Sequence, residues 1–375
     1  MKTPPPIQPV HGGQLRQIAA HFGIPEERLT DFSANINPIG PPASALSAVR
    51  RALEHPATLS TYPDLELIEL KRAIADYAGV RVENVAVANG FVPLLESALR
   101  SRKIERCLLP IPSFYEYRRV LENTNVVVES CPLSPSQGFE YDTDRIIKTL
   151  VDRSCDAILL ANPQNPAGVL CSAQRMKRLI EMAEPHNITV LLDEAFIDYS
   201  PGESVTQQVM ELANLIAFRS VTKFFAIAGF RVAYAVGNSN HIGAMNRLIA
   251  PWPITSIASD AVRAALSDQV YAEESRLANS QRRAWLEREL TRLTIAVFSS
   301  NANFILLRFP AEVDVNILWE RMIVEEQIVL RSCSNFEGLA AGHLRIAVRS
   351  ESDNQRLICG LKRVLSGRKL NSRDD

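Results

Sequence analysis

One of the eight lysines stands apart by its neighbours. Lys223 lies in Ser220-Val-Thr-Lys-Phe-Phe-Ala-Ile-Ala-Gly-Phe-Arg231, with hydroxyls one and three residues before it, apolar residues after it and an arginine eight residues on. An ammonium among Phe224, Phe225, Ile227 and Phe230 would be desolvated, which lowers its pKa and gives a nucleophilic amine. The same setting also suits a lysine that snorkels out of a core segment. The other seven sit in polar or charged surroundings and read as solvated. A second segment, Asn162-Pro-Gln-Asn-Pro-Ala-Gly168, follows the apolar run Ala157–Ala161. Its two Asn-Pro steps and its glycine impose an irregular loop at a strand end, where open α/β sheets bind ligands, or a plain turn. In Leu191-Leu-Asp-Glu-Ala-Phe196 two carboxylates follow an apolar strand, so Asp193 is either a site residue or half of a structural ion pair.

These segments punctuate an alternation of short apolar runs and helical patterns. The runs are residues 84–88, 106–109, 126–131, 157–161, 189–192, 214–218 and 232–236, with helical stretches at 65–77, 172–185 and 204–213. Strands apolar throughout and separated by helices predict an α/β fold whose mostly parallel seven-stranded sheet is covered on both faces. Beyond Gly237 come long helical patterns at 254–266 and 271–293, then strands at 295–298, 304–309, 328–330 and 344–348 with helices at 313–325 and 353–365. That is a smaller α+β domain. The expected divisions are an arm and loop at 1–40, a large domain at 41–250 and a small domain at 251–375.

Composition removes several functions. With 41 basic and 42 acidic residues, a net charge of −1 and no basic block, the chain offers no grip for nucleic acid. No apolar run reaches the ~18 residues of a membrane span, and MKTPPPIQPV is not a secretory leader, so the cytoplasm is the expected compartment. The six cysteines show neither CxxC nor zinc-like spacing, which predicts no disulfide framework and no metal site. The 33 arginines suit bidentate anion binding, or reflect a compositional bias of the genome.

Taken in order, the Asn loop, the strand-end Asp and Ser-x-Thr-Lys with Arg at +8 resemble the fold-type I family of aminotransferases that use pyridoxal 5′-phosphate, over nearly the whole chain. The resemblance implies that Lys223 forms the Schiff base with the cofactor aldehyde, Asp193 pairs with the pyridine nitrogen and Asn165 bonds the ring's 3′-oxygen. Ser220, Thr222 and Arg231 would hold the phosphate, with the backbone of Gly90, Phe91 and Val92 at a helix N-terminus. Pro93 departs from the family's usual acid at that position. Phe114, in Pro112-Ser-Phe-Tyr-Glu-Tyr117, matches the aromatic that stacks on the ring, over the lesser alternative of an ordinary core residue. Tyr62 matches a tyrosine that reaches the neighbouring subunit's cofactor, which implies a homodimer. Arg345 matches the binder of the substrate α-carboxylate, Arg331 a second arginine found with phosphorylated substrates, and Asn303 a neighbour of that site.

Two branches of the family share these features, the L-threonine-O-3-phosphate decarboxylases of cobalamin synthesis and the histidinol-phosphate aminotransferases. Three details favour the former: the opening His11-Gly-Gly with Asp31-Phe-Ser-Ala-Asn-Ile-Asn-Pro38, a phenylalanine at 196 where the aminotransferases carry tyrosine, and the arginine spacing of 345 − 331 = 14. The implied reaction yields (R)-1-aminopropan-2-ol O-2-phosphate. The alternative is amino transfer between histidinol phosphate, or a related amino acid, and 2-oxoglutarate. Around the substrate's phosphate and carboxylate the resemblance places His11, Asn37, Asn165, Arg331 and Arg345, with their division between the two groups open. A ligand sensor fused to a basic DNA-binding module is not expected, because about 30 residues before the first active-site loop leave no room for one.

Overall fold

In the structure, a computed structural model that describes residues 9 and 11–367, the strands are Thr30–Asp31 (β1), Val85–Ala88 (β2), Arg106–Ile111 (β3), Val127–Pro132 (β4), Ala157–Ala161 (β5), Thr189–Asp193 (β6), Leu215–Ser220 (β7), Ala233–Gly237 (β8), Ala296–Val297 (β9), Phe304–Arg308 (β10), Ile328–Val329 (β11), Arg331–Ser332 (β12) and His343–Ala347 (β13). Every residue of β2, β5, β6, β7 and β8 is buried, so these strands can lie only inside a covered sheet. They join β3 and β4 in the order β2-β8-β7-β6-β5-β3-β4. Only β8 runs antiparallel to its neighbours. All seven expected strands are present, each end within two residues of its expected place.

Side chains along the central strands divide by alternation between the two faces. Ile158, Leu160, Val190 and Leu192 pack with the helices Ile68–Ala78 and Ala173–Ala183. Leu159 and Leu191 pack on the opposite side with Phe91–Arg102 and Tyr115–Asn123. Each fully buried Leu or Ile contributes roughly 1.5–3 kcal/mol, and that sum holds the parallel strands in register. The register matters for the site: Ala161 pairs with Asp193, and Asp193 with Phe218. One edge of the sheet therefore collects the Asn loop after β5, the carboxylates ending β6 and the Ser-x-Thr-Lys segment leaving β7.

The second layer is the four-stranded antiparallel sheet β12-β13-β10-β9. Its core draws on both ends of the chain. The N-terminal arm packs into it: β1 pairs in parallel with β11, and Ile18 and Phe32 share a core with Ile305, Leu344 and Leu361. Ala258 and Val262 of the helix Ser256–Leu266 lie in the core of the large layer. The helix Gln269–Arg292 spans both, with Tyr271 and Ala272 in the first core and Leu286 and Leu290 in the second. One expectation is corrected at 204–213, where only the short 3₁₀ turn Thr206–Met210 forms. There the Glu194 carboxylate takes hydrogen bonds from the Ser204 and Thr206 hydroxyls and the Val205 amide, which commits the segment to a loop. Among the described residues no helix is long and apolar enough to cross a membrane.

Candidate active site

At that edge of the sheet, facing the small layer, lies a cavity of about 540 Å³. Gly90, Phe91, Val92, Phe114, Asn165, Asp193, Ser220, Thr222, Lys223 and Arg231 line it from the large layer, and His11, Arg331 and Arg345 from the arm and small layer. Three expected residues do not line it. Asn37 is buried outside the cavity wall, where its amide nitrogen donates to the Phe224 carbonyl and lies within hydrogen-bond reach of the Tyr271 and Ser275 hydroxyls. Its amide nitrogen thus fastens the loop to the lysine segment and the long helix. Tyr62 is 79% exposed and stacks on Trp252 with ring centroids 4.6 Å apart. Asn303 also stands behind the wall, its amide donating to the carbonyl of Asn35, which does line the cavity.

One end of the cavity is built for an anion. The helix Phe91–Arg102 starts there with no side-chain cap, so its first amides carry the positive end of the dipole unopposed. Gly90 precedes it at φ +90°, and a Cβ there would come within 3.0 Å of the Arg231 guanidinium. The missing side chain is what lets Arg231 close over the helix end. Ser220 and Thr222 add two hydroxyls 2.7 Å apart. Pro93 removes an amide from the first turn but leaves those of Phe91 and Val92.

In the middle, Asp193 and Glu194 divide the two roles that a strand-end carboxylate offered. Glu194 turns away into a buried network with Arg219, 3.7 Å off, whose guanidinium also meets Asp198 at 2.5 Å. Asp193 turns into the cavity, where the Tyr117 hydroxyl donates to it at 2.5 Å and the Ala195 amide at 2.8 Å. Burial pushes the Asp193 carboxyl up, against the opposing pull of Tyr117, Lys223 and the Ala195 amide. Burial likewise lowers Lys223; Asp193 works against that shift, and Arg231 and Arg345 reinforce it. The Lys223 Nζ stands 5.4 Å from the centre of the Phe196 ring. A nucleophilic amine and a carboxylate short of cationic partners thus share one enclosure.

At the far end two arginines confront each other. Arg331 of β12 and Arg345 of β13 are register partners on an antiparallel ladder, which puts both guanidiniums on one face. Burial lowers Arg345 to about 10, with Arg331 adding to the effect. Arg345 donates to Asn165 Oδ1 at 2.6 Å, and its Nε is buried with no hydrogen-bond partner among the described residues. Among the described residues it has no carboxylate partner; its charge rests against the faces of Phe304 and Phe336, at 4.9 and 5.9 Å. The arrangement calls for an anion from outside.

A model of the family described as aminotransferase class I and II matches residues 27–361. The chain belongs to that family. It is 32% identical over 361 residues to the threonine-phosphate decarboxylase of Salmonella typhimurium, covering 95% of this chain and 97% of the relative. To histidinol-phosphate aminotransferase 1 of Psychrobacter arcticus it is 28% identical over 361 residues, covering 95% and 92%. Among solved structures, the histidinol-phosphate aminotransferase of Clostridium acetobutylicum superposes with a TM-score of 0.82 at 30% identity, covering 89% of this chain and 98% of the other.

As a member of the aminotransferase family the chain takes pyridoxal 5′-phosphate, and the cavity fits it. The uncapped helix end and Arg231 suit the phosphate, the undercompensated Asp193 a protonated ring nitrogen, and Lys223 the aldehyde. Tyr117, which stands behind Asp193, and three charged residues of the wall escaped the sequence reading. Tyr117 lies one helical turn beyond Phe114, a spacing that could have revealed it. Arg219 is the charged residue in an otherwise apolar strand next to Ser220, a signal of buried pairing. Glu116 and Arg119 line the mouth, and nothing in a single sequence separates them from other surface charges.

Proposed function

We propose that the protein decarboxylates L-threonine O-3-phosphate to (R)-1-aminopropan-2-ol O-2-phosphate. The observation that carries the reading is the register pair of Arg331 and Arg345 in the wall that also holds Lys223, an arrangement suited to a substrate with two anionic groups near one amine. Full-length similarity to the Salmonella decarboxylase supports it. In this reading Arg345, braced by Asn165, grips the α-carboxylate, while Arg331 and His11 take the phosphate.

Bound pyridoxal 5′-phosphate supplies an electron sink for the pair left behind when a bond at the substrate's Cα breaks. The chain's residues decide which bond that is. Held at two points, the substrate cannot rotate about Cα, and the carboxylate stands in the direction from which it departs as CO₂. Asp193 keeps a proton on the ring nitrogen, and Tyr117 keeps Asp193 in place. Lys223 Nζ, its proton made labile by burial, delivers that proton to Cα from within the enclosure. Phe196 and Phe336 shield the amine and the arginines from water. Tyr62 reaches the cofactor phosphate of a second copy, so the working unit is a homodimer.

The second reading is amino transfer from histidinol phosphate to 2-oxoglutarate, favoured by the likeness to the Clostridium aminotransferase. Purified enzyme supplied with the cofactor is expected to release CO₂ from L-threonine O-3-phosphate and to form no glutamate from histidinol phosphate and 2-oxoglutarate. Glutamate without CO₂ would reverse the choice.

A further inference from the structure

Beside His11, the cavity wall carries a carboxylate where the proposed substrate brings anions. Glu116 opens the helix Tyr115–Asn123, is buried, and lines the cavity. A lone carboxylate there would repel a substrate phosphate. It is not alone: one oxygen is taken by the Arg119 guanidinium, one helical turn on, whose Nε donates at 2.6 Å. The other lies 2.9 Å from His11 Nε2. The exposed arginine thus anchors the carboxylate, and the carboxylate fixes the ring of a residue on the arm.

The arm also rests its His11 ring against Phe114 and Tyr115, with ring centroids 6.1 and 6.0 Å apart. Its backbone is fastened from the small layer, by Arg331 donating to the Pro9 carbonyl at 3.1 Å and by the Gly13 amide bonding the Ser33 hydroxyl at 3.0 Å. The His11 side chain is 41% exposed, and the Glu116 oxygen is its hydrogen-bonding partner among the described residues. With Nε2 held by Glu116, the ring is fixed in one orientation and Nδ1 is left for a ligand; both the ring and Arg331 line the cavity. A carboxylate that orients a histidine does for a bound ligand what such pairs do for histidine ligands of metals.

We infer that Glu116 is a positioning residue for phosphorylated substrates, acting through His11 with Arg119 as its anchor. The inference rests on the decarboxylase reading for the identity of the substrate. It makes a prediction opposite in sign to simple charge counting, in which removing a carboxylate beside an anion site tightens anion binding.

The test is an absorbance titration of the holoenzyme with L-threonine O-3-phosphate and with L-threonine, which reads binding whichever bond breaks afterwards. Glu116→Gln is expected to weaken binding of the phosphorylated amino acid about tenfold, the worth of one charge-assisted hydrogen bond, and to leave L-threonine unchanged. In a His11→Ala background the same substitution should add nothing. Arg119→Ala, at an exposed position that leaves the fold intact, should weaken the phosphorylated ligand alone and by less. Tighter phosphate binding, equal losses for both ligands, or a full additive loss in the His11→Ala background would each overturn the assignment. Absence of CO₂ from the wild-type enzyme would remove the decarboxylase reading while leaving the titration result to stand.

Discussion

Lys223 is held between influences of opposite sign, which makes its ionisation adjustable by single substitutions. Burial lowers it most, Asp193 raises it, and Arg231 and Arg345 lower it further. Only the neutral amine attacks an aldehyde, so the rate at which visible absorbance grows after pyridoxal 5′-phosphate is added to cofactor-free protein should rise with pH through a midpoint below the ordinary lysine value. Asp193→Asn removes the influence that favours the ammonium and should move that midpoint to lower pH. Arg345→Ala removes one that disfavours it and should move the midpoint up. Lys223→Ala should give no such absorbance at any pH. Stopped-flow spectra across a pH series check all three, and shifts in the reverse directions would mean that Lys223 does not feel these charges.

Elements rather than residues explain what could be read in advance. The seven large-sheet strands were legible because burial on both faces makes a strand apolar along its length, and because glycine, proline and asparagine mark where each one ends. The shared edge then follows from parallel register, so Asn165, Asp193 and Lys223 were placed together from sequence alone. β12 was not legible, since two residues carry no period, and with it went the register that sets Arg331 opposite Arg345. Asn37 misled for a different reason: its loop does line the cavity, but hydrogen-bond partners 187 to 238 residues away claim its side chain. The start of the helix Phe91–Arg102 shows how closely element and site are joined. Gly90 adopts φ +90° and ψ 177°, a conformation essentially reserved for glycine, and lets Arg231 approach. Gly90→Ala should cost about 1–3 kcal/mol of local strain and clash, felt at the phosphate end. The dissociation constant of pyridoxal 5′-phosphate should rise roughly ten- to a hundredfold, while circular dichroism shows the helices retained. Unchanged affinity would place the phosphate elsewhere.

At the scale of the whole molecule several exposed apolar residues are grouped. Leu59, Tyr62, Leu65 and Ile68 lie close along the chain, and the stacking of Tyr62 on Trp252 brings that stretch to Leu248, all of them exposed. A soluble chain rarely leaves such a set to water, and a second copy is the partner that would cover it symmetrically. In the proposed dimer Lys223 and the exposed Tyr62 belong to the same site but to different chains, a division that mixing can test. Lys223→Ala and Tyr62→Ala homodimers are each expected to be impaired at both of their sites. In a heterodimer one site receives both defects and the other receives neither, because its lysine comes from one chain and its tyrosine from the other. Random reassortment of equal amounts makes half the dimers heterodimers, so activity should return to about a quarter of the wild-type value, beyond what the parents contribute. Sedimentation of the wild-type enzyme at twice 41.7 kDa is the companion measurement. Activity that stays at the mean of the two parents after verified reassortment would show that Tyr62 serves its own chain or no site at all.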